Sequence, residues 1–187
     1  MTLRYSGVDW HHREILLKDK PREMLELSPK GTVPVLLLPD GTVLDESLAV
    51  MDWALSQRDP DNWRSAPVGL PREQWLAAND GPFKHWLDRY KYGDRFPERP
   101  SSWYRLQALN QLMPLEAALS KTPWLHGDRL GFCDVALFPF VRQFAMVDRD
   151  WFDSCELTET AAWLRRCLAL PLFASIMVKQ PVWRSAQ

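Results

Sequence analysis

Residues 28–47 read SPKGTVPVLLLPDGTVLDES, and this stretch predicts a loop, a strand, a tight turn, a second strand and the start of a helix. Val35–Leu38 is a short, continuous apolar run of the kind that forms a buried strand. Asp40 and Gly41 are a strong hairpin signal, because both central positions of a two-residue hairpin turn favour positive φ angles. Thr42–Leu44 is then the returning strand, so the stretch predicts a β-hairpin.

The chemistry is expected at the two ends of this hairpin. Pro34 stands where the first strand begins, a position that tolerates proline, and X-Pro bonds adopt the cis form at low cost. A cis bond would turn the backbone N–H and C=O of Val33 outward, free to pair with an extended peptide. Glu46 and Ser47 open a helix, and unpaired N–H groups at a helix N-terminus attract a carboxylate. These features predict a site for a small acidic peptide; the alternatives are an ordinary strand start and an ordinary helix cap.

The same residues carry a family resemblance. The motif Ser-Pro-x-Gly-x-Val-Pro-Val-Leu, an Asp-Gly turn and a Glu-Ser pair resemble the glutathione-binding half of the glutathione S-transferase superfamily. The resemblance implies that glutathione is a co-substrate and that Val33, next to Pro34, pairs with its cysteinyl backbone. It assigns the γ-glutamyl end of glutathione to Glu46 and Ser47. Lys30, three residues before Val33, is the candidate cation for the glycyl carboxylate.

The resemblance covers nearly the whole chain and implies a fold. We expect an α/β thioredoxin-like N-terminal domain, lacking its first strand, followed by an all-α C-terminal helical domain. The first domain is expected at residues 1–58, and a linker rich in Pro, Gly and Asp at residues 59–71. Residues 72–187 form the helical domain, because apolar residues recur there every three or four positions. Gly81-Pro82 predicts an irregularity in its first helix.

The N-terminal residues bear on catalysis. Met1–Ser6 predicts the last turns of a helix that ends at Gly7, and His12–Leu17 predicts a strand. In the family, a strand and a loop precede that helix, and the loop carries the Ser, Tyr or Cys that stabilises the glutathione thiolate. By the resemblance both are missing, so the catalytic residue is unknown, and Met1 is an internal methionine of a longer ancestor or a mis-assigned start. His12–Leu17 then pairs directly with Val35–Leu38, exchanges strands with a second chain, or leaves an open edge.

A second helix start is expected at Gly131. With Gly131 as the N-cap, Asp134 is the third helical residue, and its carboxylate can reach back to the cap N–H, which is half of a capping box. The family usually has Ser or Thr at this cap, whereas Gly supplies no side-chain acceptor. Ser102 is expected to cap an earlier helix, and two more helices are predicted at Thr158–Leu168 and Leu172–Val178.

The composition excludes several classes of partner. The 187-residue chain has a net charge of −1, which suggests no nucleic-acid or anionic-membrane partner. No apolar run approaches the roughly 20 residues that span a bilayer. Cys133, Cys155 and Cys167 are widely spaced and suggest free thiols in a reducing compartment, hence a cytoplasmic protein. The sequence contains no metal-binding motif.

We therefore expect a glutathione S-transferase-like protein that joins the glutathione thiol to an electrophile, as in detoxification, or reduces a mixed disulfide. The electrophile is expected to be small and hydrophobic and to contact Phe83, Trp86 and Tyr90 on the first helix of the helical domain. The family resemblance also allows a homodimer. Two alternatives stay open, a non-catalytic interaction or scaffold protein with this fold and a fragment of a full-length transferase, so whether the chain is an enzyme is open too.

Overall fold

The computed structural model describes residues 1–184 and groups them into two units. The first unit contains Met1–Asp61 and the segment that begins at Pro171, and the second contains Asn62–Leu170. The predicted helical domain extended to residue 187, whereas the segment from Pro171 groups with the first unit. The described elements, in chain order, are α1 (Thr2–Tyr5), α2 (Arg22–Leu27), β1 (Leu36–Leu37), β2 (Val43–Leu44), α3 (Ser47–Gln57), α4 (Arg72–Ala78), a π-helical turn (Asn79–Phe83), α5 (Lys84–Lys91), a 3-10 turn (Gly93–Arg95), α6 (Ser101–Leu119), α7 (Phe132–Val147), α8 (Arg149–Ser154), α9 (Thr158–Leu168) and α10 (Pro171–Ile176).

The predicted β-hairpin is present in the first unit as a two-stranded antiparallel sheet. Leu36 lies opposite Leu44, and Leu37 lies opposite Val43. Antiparallel partners run in opposite directions, so the residues just before β1 and those just after β2 lie at the same end of the hairpin. The hairpin thereby brings two segments that are distant in sequence close together.

The hairpin turn is one residue longer than predicted. The loop consists of Pro39, Asp40 and Gly41, and it is closed by the Gly41 N–H donating to the Leu38 C=O at 3.0 Å and by the Leu38 N–H donating to the Thr42 C=O at 2.8 Å. Of the three loop residues only Gly41 has a positive φ, +88°, whereas the predicted turn also required one at Asp40. Proline fixes φ near about −65°, so Pro39 favours a turn centred on itself and Asp40, with Gly41 following in the left-handed region.

The predicted strand at His12–Leu17 does not form. Within residues 1–184, Glu14 makes a single parallel bridge with Val182, and the Trp183 N–H donates to the Glu14 C=O at 2.8 Å. The other bridge in this segment closes a local turn. A strand needs a ladder of successive partners, and one bridge does not provide it. The neighbour is the segment after α10, an arrangement that none of the three predicted alternatives anticipated.

The apolar core of the first unit lies between α1 and α3. The face that α3 buries consists of Val50, Met51, Ala54 and Leu55. Gly7, with φ +65°, follows α1 and ends it as predicted. The Tyr5 hydroxyl donates to the Asp59 carboxylate at 3.0 Å and accepts from the Asp61 N–H at 2.8 Å. Tyr5 therefore connects α1 to the segment after α3.

The second unit is helical, as predicted, and its first irregularity lies at Gly81-Pro82. There a π-helical turn separates α4 from α5, because proline has no N–H to donate and its ring disturbs the preceding turn. The core of this unit is rich in aromatic rings. The ring of Phe144 on α7 lies 5.9 Å from that of Phe83 and 5.5 Å from that of Tyr90.

The other helix boundaries follow the sequence with local differences. α9 spans Thr158–Leu168, as predicted. α6 begins at Ser101, so Ser102 lies inside the helix and does not cap it. α8 was not predicted, because six residues are too few for a periodic pattern. α10 is Pro171–Ile176 instead of Leu172–Val178, since proline is favoured at the first helical position.

One buried carboxylate connects three segments of the second unit. Gly131 is the N-cap of α7 and Asp134 its third residue, as predicted, and Asp134 is fully buried. Its Oδ2 accepts from the Gly131 N–H at 3.1 Å, and its Oδ1 accepts from the Leu125 N–H at 3.0 Å and the Trp163 Nε1–H at 2.8 Å. Burial raises the pKa of Asp134 to about 6, although these three donors act in the opposite direction.

We expect Asp134→Ala to lower the free energy of unfolding by about 3–5 kcal/mol, because three buried N–H donors would lose their acceptor. Urea denaturation at pH 7 measures this change. Asp88→Ala, on the exposed surface of α5, is the matched control and is expected to cost less than about 1 kcal/mol. Similar losses for the two variants would contradict the structural role of Asp134.

Candidate functional site

The backbone of Val33 is open to a ligand. The Val33–Pro34 peptide bond is cis, and the Val33 side chain is 48% exposed. Within residues 1–184 the Val33 N–H and C=O make no hydrogen bond. A peptide that binds by adding a strand needs such a free donor and acceptor.

The N-terminus of α3 is open as well. Ser47 is the first residue of α3 and Glu46 is its N-cap, but neither side chain caps the helix. The Ser47 side chain is exposed, and its hydroxyl has no partner in the described part of the chain. The first N–H groups of an α-helix have no acceptor within the helix, so this end presents several donors and the positive end of the helix dipole.

An ion-pair cluster lies beside this helix end. The Lys30 Nζ is 2.9 Å from Glu46 Oε1 and 3.2 Å from Asp45 Oδ1. The Ser28 hydroxyl donates to Asp45 Oδ2 at 3.0 Å. The hydrogen bond from Ser28, followed by that from Lys30, lowers the pKa of the Asp45 carboxyl, and hydrogen bonds to Glu46 and Asp45 raise the pKa of Lys30. Both shifts favour the charged forms of Asp45 and Lys30.

All five site residues predicted from the sequence lie in the first unit. Val33 and Pro34 precede β1 by three and two residues, and Glu46 and Ser47 follow β2 by two and three. The register of the hairpin places these two pairs at the same end of the sheet. Lys30 joins them through its ion pair with Glu46.

Two residues of the cluster, Ser28 and Asp45, were missed by the sequence analysis. Asp45 directly precedes Glu46, and this adjacency was the available signal. Ser28 is only 1% exposed, and its backbone C=O accepts from the Gly31 N–H at 3.0 Å. Its contact with Asp45 spans 17 residues of sequence, so no local pattern could have revealed it.

Burial raises the pKa values of all three of the protein's thiols. Burial raises the pKa of Cys133 to about 12 and also raises the pKa values of Cys155 and Cys167. The Tyr5 hydroxyl is occupied by Asp59 and Asp61, and burial raises its pKa. Because the thiolate is the nucleophilic form of a thiol, these raised pKa values disfavour nucleophilic attack by the cysteines.

The three aromatic residues expected at the electrophile site do not share a surface. Phe83 and Tyr90 are 2% and 5% exposed, and both contact Phe144 in the core. Trp86 is partly exposed, and its ring lies 5.4 Å from that of Trp103 on α6. The three residues follow the predicted helical periodicity. However, Phe83 and Tyr90 point to the core, while Trp86 packs beside α6.

Two kinds of feature are absent from the described residues. Residues 1–184 contain no group of three or more His, Cys, Asp or Glu side chains arranged to hold a metal ion. None of the helices in that range is long and apolar enough to cross a membrane.

Comparison with protein families identifies both halves of the chain. Residues 1–57 match the family described as "Glutathione S-transferase, N-terminal domain", and residues 73–166 match "Glutathione S-transferase, C-terminal domain". Glutathione S-transferase GstA of Escherichia coli O157:H7 is 31% identical over 150 residues, which cover 76% of this chain and 74% of that protein. Glutathione S-transferase U19 of Arabidopsis thaliana is 23% identical over 175 residues, or 90% of this chain and 78% of its own.

Solved structures share the fold. The ternary complex of BphK, a bacterial GST, has a TM-score of 0.73 and 23% identity, with 93% of this chain and 88% of that chain covered. The glutathione transferase URE2P6 from Phanerochaete chrysosporium, in complex with oxidized glutathione, has a TM-score of 0.74 and 22% identity, with coverage of 94% and 86%. The similarity supports a thioredoxin-like N-terminal domain followed by a helical domain.

The ion-pair cluster makes a prediction about proton binding. Ser28→Ala is expected to raise the pKa of Asp45, because the Ser28 hydrogen bond contributes most to its lowering, and Lys30→Gln is expected to raise it less. Since the folded-state pKa is lowered, the cluster contributes stability at neutral pH that is lost as the pH falls through that pKa. Carboxyl-carbon NMR titration measures both changes.

Asp40 is the internal control for this titration. Its pKa is lowered by a hydrogen bond from the Thr42 N–H in the hairpin turn, so it should titrate unchanged in both variants. An unaltered Asp45 pKa in Ser28→Ala would rule out the assigned hydrogen bond.

Proposed function

Because this chain belongs to the glutathione S-transferase superfamily, we propose that it binds glutathione at Val33, Pro34, Glu46 and Ser47, with Lys30 as a neighbouring cation. One observation carries the proposal: the unpaired Val33 backbone and the uncapped N-terminus of α3 lie at the same end of one hairpin. A short peptide with a terminal amine and carboxylates fits both groups.

Each part of glutathione finds a complementary group. The cysteinyl N–H and C=O pair with the backbone of Val33, as in strand addition. The carboxylate of the γ-glutamyl residue accepts from the Ser47 hydroxyl and the first N–H groups of α3, which the helix dipole favours. The γ-glutamyl ammonium is attracted by the carboxylate of Glu46.

In this proposal Lys30 changes partners on binding. In the structure the Lys30 ammonium forms an ion pair with the Glu46 carboxylate. On binding, the amine of glutathione would replace Lys30 in this contact. The side chains of Lys30 and Glu46 are 55% and 68% exposed, and an exposed ion pair contributes little to stability, so this exchange costs little. Lys30 then keeps Asp45 and is free to approach the glycyl carboxylate.

The reaction we propose is conjugation. The glutathione sulfur, as thiolate, forms a bond to the electrophilic carbon of a small hydrophobic substrate, the leaving group departs with its bonding electron pair, and the thiol proton passes to solvent. Cys133 and Cys167 are buried and Cys155 is half-buried, and burial raises the pKa of all three, so we take the reacting sulfur to be that of glutathione. The residues at the hairpin hold the peptide and orient its sulfur.

Glutathione binding without turnover is the second candidate. It is favoured by the state of the side chains that could polarise a thiol. Burial raises the pKa values of the three cysteines, which favours their neutral forms, and the Tyr5 hydroxyl is bound by Asp59 and Asp61. A scaffold or interaction role would then use the same binding site.

Two further features belong to this proposal. Cytoplasmic action is supported by the three cysteines, none of which forms a disulfide. A homodimer is supported by exposed apolar side chains along α6, such as Leu106 and Met113.

Calorimetric titration with glutathione tests the site. Ser47→Ala is expected to weaken binding about 5- to 10-fold, because the net contribution of the lost hydrogen bond is about 1–1.4 kcal/mol. Ser56→Ala is the matched control, since Ser56 lies near the opposite end of the same helix and donates to the Trp53 C=O. No binding at millimolar glutathione, or equal losses in both variants, would refute the site.

Turnover separates the two candidate functions. A thiol-reactive aryl halide in the presence of glutathione is expected to give conjugate faster with the protein than without it, and Ser47→Ala is expected to reduce that excess rate by a similar 5- to 10-fold. Binding with no excess rate would select the non-catalytic candidate.

A further inference from the structure

The helix α7 is capped by a residue outside it. Its N-cap, Gly131, has no side chain, yet the N–H groups of Gly131, Phe132 and Cys133 are all paired. The Gly131 N–H donates to Asp134, and the Phe132 N–H donates to the Trp63 C=O at 3.0 Å. The Cys133 N–H donates to the Nε2 of His126 at 3.1 Å. In many helices this second helical N–H is a donor to the side chain of the N-cap itself.

The ring of His126 also explains why position 131 is a glycine. Gly131 has φ −143° and ψ −170°, an extended conformation that any residue adopts, so its backbone does not require glycine. A Cβ atom at Gly131 would instead overlap the imidazole ring of His126. The ring therefore occupies the space in which a cap side chain would stand.

We propose that the His126 imidazole is the N-terminal cap of α7, in place of a side chain at Gly131, and that this cap holds only while Nε2 is unprotonated. A lone pair on Nε2 is needed to accept from the Cys133 N–H. Protonation of Nε2 would point its own N–H at the Cys133 N–H, and two donors cannot form a hydrogen bond with each other, so the cap is lost. The start of α7 is thus a proton-sensitive contact.

The surroundings favour the neutral ring. Burial and the positive charge of Arg72, from α4, lower the pKa of His126, while the nearby Ser65 backbone acts in the opposite direction. Asp134 and Cys133 face this region from α7. An unfolded histidine has a pKa of about 6.5, so the cap contributes fully above that value and is lost as the pH falls below it.

Loss of the cap affects more than one hydrogen bond. α7 is the most buried helix of the second unit, and its buried residues include Phe132, Val135, Phe138, Val141 and Phe144. Opening its first turn would expose Phe132, which is 0% exposed. The stability of the whole unit is therefore linked to the charge on one ring.

A double-mutant cycle tests the proposal on the full chain. His126→Ala removes the acceptor, and Gly131→Ser introduces a side chain that the imidazole obstructs. Each single variant is expected to lower Tm by about 3–6 °C. The combined variant His126→Ala/Gly131→Ser has both the space and a serine cap, so its Tm is expected within about 2 °C of the wild type.

The pH profile gives a second readout. Between pH 7.5 and 5.5 the Tm of the wild type is expected to fall by about 2–4 °C more than that of the combined variant. Asp134 titrates in the same range with the opposite effect on stability, but it is present in both proteins, so its contribution cancels in the difference.

Two results would overturn the proposal: losses that add in the combined variant, or the same pH profile in the wild type and the combined variant. If Gly131→Ser alone fails to fold, comparing His126→Ala with the combined variant still tests the proposal. The combined variant is expected to have the higher Tm only if the introduced serine caps the helix. Nitrogen NMR of His126 provides an independent measurement, and a neutral ring protonated at Nε2 would also refute the assignment.

Discussion

The helical unit depends on the buried carboxylate of Asp134. It accepts from the backbone of Leu125, the backbone of Gly131 and the indole of Trp163, and so joins the turn before α7, α7 itself and α9. A buried charge is tolerated only when its hydrogen-bonding capacity is filled. Burial of the carboxylate is therefore favourable only when all three segments are in place, and this makes their folding mutually dependent.

In the first unit the corresponding constraint is the register of the hairpin. The pairing of Leu36 with Leu44 determines which residues meet at the open end of the sheet. A shift by one residue would turn the side chains of one strand to the opposite face. The three-residue loop closed by Gly41 fixes this register. Local turn chemistry in this way controls the distance between the two parts of the candidate site.

The sequence predicted structure well where the signal was local. The apolar rhythm of α9, the proline-induced irregularity at Gly81-Pro82 and the helix start at Ser47 all depend on neighbours within a turn. The prediction of a strand at His12–Leu17 was wrong because a strand requires a partner, and the sequence of the segment alone does not identify that partner. The Ser28–Asp45 and His126–Cys133 contacts were missed for a similar reason: only the folded chain brings the two residues together.

The ion pair between Lys30 and Glu46 has a consequence for the energetics of ligand exchange. In the site as proposed, one ammonium group leaves the Glu46 carboxylate and another arrives, so the number of opposite-charge contacts at Glu46 stays constant. Dissolved ions screen the outgoing and the incoming contact alike. The contribution of Glu46 to affinity should then depend little on ionic strength, whereas salt should weaken the new contacts that the ligand carboxylates make with Lys30 and the N-terminus of α3.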